Sequence, residues 1–479
     1  MIRLSLLALL LTGAAFAAEP KKNVLFIVAD DFRPELGCYG SPALTPNLDR
    51  LAARGIQFNR AYCQQALCNP SRSSFLTGRR PDTNHLWANN PHFRDLNPDV
   101  VTLPQYFKDN GWITRDVGKI FHNWHTKEKG DRRSWSADEF LFYANHGDDK
   151  PLVDEPLPKN QALAPKCERV DVKDEAYFDG RVATEAVRVL GKIKDKPFFL
   201  AVGFWKPHAP FNAPKKYWDL YDRAKLPAVD GRWPIGAPEI AKHDGREIRG
   251  LPPKQLDFSA DEIREIRHGY FANISYMDAQ VGKVIAALDQ HKLADSTIIV
   301  FLADHGYHIG EHGLWCKTSC FEYDAHVPLM IVPPATTQAG KKTDALVELV
   351  DLYPTLIDLC GLPSTKGLEG TSLVPILKEP AKKVKDGAFT QHPRPAYYDR
   401  TEKGVPDAMG YSVRTDKVRY TEWRDWQSGK IIGTELYDHV KDPGETNNLF
   451  GKRLIPVDLI LAQELLHKQF PPDVPPAKR

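Results

Sequence analysis

Apolar residues along this chain come in short continuous runs, and each run hands over to a cluster of charged or histidine side chains. Asn23 to Val28, in "NVLFIVADD", is such a run and delivers Asp30 and Asp31. Phe198 to Gly203, in "PFFLAVGFWKPHAP", presents Lys206 and His208, and Thr297 to Leu302, in "STIIVFLADHGYHIGEHG", leads to Asp304 and His305. A weaker run, "WITRDVGKIFH", ends in Lys119 and His122, and "HVPLMIVPP" supplies a further short strand. Between the runs, helical patterning predicts helices over Thr45 to Arg54, Gly180 to Lys192, Asp261 to Asp289 and Leu346 to Leu359. Continuous apolar strands alternating with helices predict an α/β fold: a large, mostly parallel sheet sandwiched by helices. In such sheets the ligand crevice lies beyond the carboxyl ends of the strands. Four strands here place polar residues at that edge.

After about residue 380 the pattern changes to period two. "YSVRTDKVRYTEW" and "TELYDHVKDPGETNNL" alternate around turn residues and predict antiparallel strands, followed by a helix from Val457 to Gln469 and a proline-rich tail. The expected organisation is a catalytic domain over 19–380 and a smaller antiparallel-sheet subdomain over 381–479 that helps wall the crevice. Residues 1–18, "MIRLSLLALLLTGAAFAA", combine a positive start, an apolar run and small residues at Ala15 and Ala17. They predict a secretory signal peptide, too short for a spanning helix, and hence a periplasmic or secreted protein with no membrane span.

The 479 residues suffice for a large core. A formal net charge of +2, with 26% charged residues, argues against a general nucleic-acid or membrane-surface binder. Seven cysteines are too few for a disulfide scaffold of this size, and their odd number leaves at least one unpaired within the chain.

One of them, Cys68, stands in "QALCNPSRSSFLTGRRP". A lone cysteine is more often a small buried hydrophobe than a reagent. Its neighbourhood points elsewhere. Pro70 and Ser71 suit the first turn of a helix, which exposes unpaired N–H groups and favours anions. Arg72 adds a planar fork of donors suited to an oxyanion. Asp30, Asp31 and Asp304, expected together without enough local cations to pair them, predict a hard cation with oxygen ligands. Lys119, His122, His208 and Lys317 form the complementary positive set for a sulfate or phosphate.

"CNPSR" followed by "SSFLTGRRP" resembles the sulfatase signature, whose cysteine is oxidised after translation to formylglycine. "ADDFRPELGCYG", "VGKIFH", "AVGFWKPHAPF", "DHGYHIGEHGLWCK", "LVELVDLYPTLIDLCGL" and "MGYSVRTDKVRYTEW" extend the resemblance, which is closest to the iduronate-2-sulfatase branch. The resemblance implies an alkaline-phosphatase-like fold and maturation of Cys68 by a formylglycine-generating enzyme. It also implies a calcium ion held by Asp30, Asp31, Asp304, His305 and an oxygen of modified Cys68. Arg72 would steady the modified residue, and Lys119, His208 and Lys317 would bind sulfate oxygens. One hydroxyl of the hydrated aldehyde, helped by Asp304 or a neighbour, would attack sulfur in line. His208 or Lys317 would protonate the leaving sugar oxygen, and His122 would take a proton from the second hydroxyl. Many sulfatases carry Asn where this chain has His305, and the iduronate branch resembles this chain in having His; imidazole also suits softer metals. Tyr307 stands where that branch can carry Trp, which implies altered sugar contacts.

The function expected from these readings is hydrolysis of carbohydrate sulfate esters in a sulfated oligo- or polysaccharide, foremost the 2-O-sulfate of a terminal uronic acid. The alternatives are a sulfatase for another polysaccharide sulfate, a phosphate or phosphonate monoester hydrolase, and a catalytically silent glycan-binding protein. A uronate also needs a cation for its carboxylate. Arg394, in "TQHPRPAYY", is the candidate, on a proline-flanked loop over the crevice; a purely structural arginine is the equal alternative.

Overall fold

The computed structural model describes residues 20–122, 129–139, 167–243, 245–249, 258–452 and 457–479. The predicted signal peptide lies outside them. Asn23–Asp30 is buried at every position and forms a central strand, parallel to Phe198–Pro207 on one side and to Thr297–Ala303 on the other. Ile113–Gly118 adds a parallel strand beyond Phe198–Pro207. On the far side, His326–Val332 runs antiparallel between Thr297–Ala303 and Ile56–Tyr62, and Lys341–Thr343 pairs with Ile56–Tyr62 in parallel. With Val347–Glu348 the sheet has eight strands among the described residues, most of them in parallel pairs.

Two sets of helices flank this sheet. Phe178–Ile193 and Ala260–Gln290 pack on each other and on Phe198–Pro207. Cys68–Thr77 contacts Leu103–Asp109 and Leu352–Leu359, with the Phe75 ring 6.0 Å from that of Phe26 in the central strand. The helix Ala260–Gln290 starts on a capping box, with Ser259 and Glu262 each satisfying the other's backbone N–H.

Two segments differ from the sequence reading. The helix expected from Leu346 begins later: Val347–Glu348 is a strand, Leu349–Asp351 a 3-10 turn, and only Leu352–Leu359 is α-helical. Glu348 is the reason, because its carboxylate is drawn into a buried pairing instead of facing outward on a helix. Ile56–Tyr62 was not predicted as a strand; Asn59 and Arg60 interrupt its apolar pattern and its first three residues are buried.

Ala388–Arg394, Ala408–Arg414, Val418–Asp425 and Ile431–Asp438 form a second, four-stranded antiparallel sheet. Ala388–Arg394 is an edge strand, where Pro393 costs no ladder bond in a sheet interior. Helix Val457–Gln469 covers the sheet, with Leu459, Ala462 and Leu466 buried beside Met409, Tyr411 and Val413. All seven cysteines are free.

The two sheets are joined through Glu348. Its carboxylate receives both ends of the Arg80 guanidinium at 2.8 Å, Lys385 at 2.8 Å and the Phe389 backbone N–H at 3.0 Å. Burial would raise this carboxyl, but Arg80 and Lys385 outweigh it and bring it down to about 2. A carboxyl lowered in the folded state lends stability above its unfolded pKa of roughly 4.3, and that stability is lost as pH falls toward the folded value. Glu348→Gln is therefore expected to cost about 3–5 kcal/mol at pH 7, the scale of breaking a buried ion pair, and much less at pH 3. Urea unfolding of both proteins at the two pH values measures this; an equal loss at both would contradict it.

Candidate active site

The strands Asn23–Asp30 and Thr297–Ala303 are in register up to Ala29 and Ala303, so the residues after each emerge side by side. Asp31 takes a left-handed conformation, φ 58°, which aspartate tolerates better than most residues. The turn brings both Asp30 and Asp31 to one place. The Asp31 backbone N–H donates to Asp304 Oδ1 at 3.2 Å, and the His305 N–H donates to the same oxygen at 2.9 Å. All four side chains have no exposed surface.

Cys68 is the first residue of the helix Cys68–Thr77, whose ten residues are all buried. Its sulfur lies 3.6 Å from Asp30 Oδ1 and 3.4 Å from His305 Nε2. Arg72, one turn later, reaches Asp304 Oδ2 at 2.8 Å and Asp30 Oδ1 at 3.2 Å, and its other arm bonds the carbonyls of Lys119 and Ile120. Ser71, which sequence reasoning left without a role, ties the helix to the Asp304 carbonyl at 2.5 Å. Lys119 is placed by Gly203: the Lys119 N–H donates to the Gly203 carbonyl at 2.9 Å, and a Cβ on Gly203 would lie 1.9 Å from the Lys119 oxygen. Its ammonium pairs with Asp30 and sits 4.3 Å from the centre of the Trp205 ring.

The opposite wall carries His208 and Lys317. The Lys317 ammonium binds both oxygens of Asp31, at 2.9 and 3.0 Å, and Glu247 at 2.7 Å. It also donates to His208 Nε2 at 3.3 Å, because the other ring nitrogen must carry its proton to bond the Ala209 carbonyl. Lys206 fixes this loop through the carbonyls of His208 and Pro210, and Asp179 holds the strand end by accepting the N–H groups of Trp205 and Lys206. His122 is buried past the end of Ile113–Gly118. Burial and the Lys119 charge keep its imidazole neutral, and burial and Lys317 do the same for His208.

The carboxylates are not unpaired, as the sequence implied; Arg72, Lys119 and Lys317 arrive from three remote segments. Burial acts against the charge on Asp30, but Lys119 and Arg72 hold its carboxyl well below the ordinary range. Asp31 and Asp304 go the other way: burial and the charges of their carboxylate neighbours push both up despite Lys317 and Arg72. Further positive charge would be stabilised here. His305 agrees: its Nδ1–H donates to the Gly306 carbonyl, so the Nε2 lone pair faces Asp31 and Asp304 oxygens at 3.5 and 3.6 Å. Asp30, Cys68, Asp304 and His305 offer ligand atoms all within 4.8 Å of one another, and Asp31, Cys68 and His208 form a second such group around the same sulfur. The residues fit a divalent cation, and the excess of carboxylate oxygen suits a hard one.

Cys68 is no reactive thiol. Burial, with Asp30 beside it, pushes its pKa well above the ordinary value, the reverse of an activated cysteine.

Two sequence expectations are corrected. Arg394 ends a strand instead of occupying a loop, and its guanidinium donates to the carbonyls of Ile240, Thr318, Pro393 and Ala241 over the face of Trp423. It braces the wall and has no open fork for a substrate carboxylate. Tyr307, expected to alter sugar contacts, is fully buried and stacked on Tyr270 at 5.9 Å. Conversely, Glu247 and Tyr397 were missed: the Tyr397 hydroxyl bonds Glu247 at 3.1 Å, and no local pattern in "HDGREIRG" or "PRPAYY" marks either.

The Sulfatase family model matches residues 22–362, and that of "N-sulphoglucosamine sulphohydrolase, C-terminal" matches residues 310–469. The chain belongs to the sulfatase family. The iduronate 2-sulfatase of Mus musculus is 35% identical to it, over 91% of this chain and 92% of that protein. A structure of a protein in complex with its substrate D-glucosamine-2-N,6-O-disulfate aligns with TM-score 0.73 and 22% identity, covering 96% of this chain and 100% of that one. The phosphonate monoester hydrolase of Silicibacter pomeroyi aligns with TM-score 0.75 and 22% identity, over 95% and 96% of the two chains. This sulfatase therefore shares its fold with both, and membership makes it a sulfuric ester hydrolase. No helix among the described residues is long and apolar enough to cross a membrane.

Proposed function

We propose that the chain is an exported sulfatase that removes the 2-O-sulfate of a terminal uronic acid from a sulfated oligo- or polysaccharide. The observation that carries the sulfatase chemistry is Cys68 at the start of a buried helix, unreactive as a thiol yet central to the carboxylates and cations around it. The uronate reading rests on the 35% identity to an iduronate 2-sulfatase. Export rests on residues 1–18. Tyr397, reaching Glu247 from the segment after 380, supports a C-terminal subdomain over 381–479 that lines the crevice.

Oxidised to formylglycine by a maturation enzyme, Cys68 supplies a hydrated aldehyde whose oxygen replaces the thiol as nucleophile. Asp30, Asp31, Asp304 and His305 would hold a calcium ion, which neutralises charge on the ester and acidifies that hydroxyl. Arg72 fixes Asp30 and Asp304 relative to the helix. Lys119 and Lys317 bind the sulfate oxygens, and His208 joins them only when its Nε2 also carries a proton. His208 or Lys317 protonates the leaving sugar oxygen; in this structure the proton between them sits on Lys317, which donates to His208 Nε2. His122, kept neutral, accepts the proton of the second hydroxyl as the bond from its carbon to the sulfated oxygen breaks, which releases sulfate and restores the aldehyde.

A phosphate or phosphonate monoester hydrolase is the second reading, favoured by the fold shared with the hydrolase of Silicibacter pomeroyi. Sequence separates the two: the chain is 35% identical to an iduronate 2-sulfatase and 22% identical to that hydrolase, which favours the sulfate ester. Matured enzyme assayed on paired aryl sulfate and aryl phosphate is expected to prefer sulfate by more than about tenfold in kcat/KM, roughly 1.4 kcal/mol. A preference for phosphate would reverse the assignment. A screen of sulfated oligosaccharides scored by free sulfate tests the uronate.

A further inference from the structure

Among the described residues, Glu247 is a carboxylate in contact with Lys317 that the sulfatase chemistry leaves without a task. Its Oε2 accepts from the Lys317 ammonium at 2.7 Å and its Oε1 accepts from the Tyr397 hydroxyl at 3.1 Å, so both oxygens are held. Asp31 and Lys317 have no exposed side-chain surface, whereas Glu247 is 22% exposed. Glu247 therefore stands on the solvent side of the buried Asp31–Lys317 pair. Donors on one tetrahedral ammonium diverge, so a sulfate oxygen that takes the place of His208 Nε2 on Lys317 would lie about 4.5 Å from the Glu247 oxygen bound to the same nitrogen. That is the reach of a substituent on the sugar carbon next to the ester. A uronate sulfated at C2 carries a hydroxyl at C3 in this position, while its carboxylate at C5 lies across the ring.

We propose that Glu247, oriented by Tyr397 and Lys317, is a specificity-determining residue that accepts a hydrogen bond from the hydroxyl vicinal to the sulfate ester and repels an anion there. The substrate class is a sulfated sugar with a free neighbouring hydroxyl, so vicinal disulfates are excluded until the neighbouring sulfate has been removed by another hydrolysis. Carboxylate repulsion is the kind of element that separates close substrates. The inference deepens the sulfatase reading and rests on it.

The test measures binding, without turnover. Cys68→Ala and Cys68→Ala/Glu247→Gln proteins, loaded with calcium, are titrated calorimetrically with three probes. These are the methyl glycoside of a 2-O-sulfated uronic acid, its 3-deoxy analogue and its 2,3-di-O-sulfate. With Glu247 present, the 3-deoxy probe is expected to bind about ten- to a hundredfold more weakly than the parent, the scale of a hydrogen bond to a charged group. The disulfate is expected to bind at least about tenfold more weakly, and Glu247→Gln to erase most of that second penalty, since the amide keeps the shape and loses the charge. A merely structural role would weaken all three probes alike and leave their ratios unchanged, which overturns the proposal, as would failure of every probe to bind. Binding with these ratios but no turnover by matured enzyme would instead remove the hydrolytic function and leave the recognition standing.

Discussion

Alanine at Cys68 is expected to abolish sulfate release, with a loss in kcat on the order of a millionfold, the scale seen when a nucleophile is deleted from a preorganised site. The fold should survive. Cys68 is buried at the end of a helix whose anchors are Ser71 and Arg72, and removing one sulfur from such a site costs on the order of 1 kcal/mol. Peptide mass spectrometry of active enzyme should find an aldehyde in place of the thiol. Full activity in a protein that retains the thiol would overturn the assignment, because burial and Asp30 hold that thiol in its unreactive, protonated form.

The second large effect concerns the cation. Asp31→Ala is expected to lose bound calcium and activity together, by about three orders of magnitude or more in kcat, as when a main electrostatic stabiliser is removed. Metal content measured by elemental analysis separates this from simple misfolding, since the variant should keep its circular dichroism while its calcium falls from one equivalent to none. The arrangement explains the direction. Asp31 meets the His305 Nε2 lone pair at 3.5 Å, a contact that a shared cation makes favourable. Removing Asp31 also frees Lys317 from one of its two carboxylates, so the ammonium would turn toward Glu247 and the anion cradle would lose its geometry. A variant that retains calcium and full activity would place the metal elsewhere.

Much of the site was legible locally because each functional residue follows an apolar run that can only be a buried strand. Asp30, Asp304, His305 and His208 are found this way: the run fixes the strand, and the strand fixes which residue stands at its carboxyl end. Cys68 and Arg72 were legible for a different reason, a proline-started helix that repeats every 3.6 residues and so places position 72 one turn above position 68. Where local patterns misled, a distant partner had intervened. Glu348 left its predicted helix to meet Arg80 and Lys385, and Arg394 turned to the carbonyls of Ile240, Thr318 and Ala241.

The sequence by itself determined the strand-end chemistry, the helix that presents Cys68 and the alternation of helix and strand, since all three depend on neighbours within a few positions. Tertiary structure alone decided the charge balance. Asp30 is paired from positions 72 and 119, Asp31 from 317, and Lys317 in turn from 247. No periodicity links such positions, because an ion pair across the sheet edge requires only that two side chains meet in space and imposes no pattern on the chain between them. For the same reason Glu247 and Tyr397, which meet beside Lys317, became visible only when the antiparallel sheet closed against the parallel one.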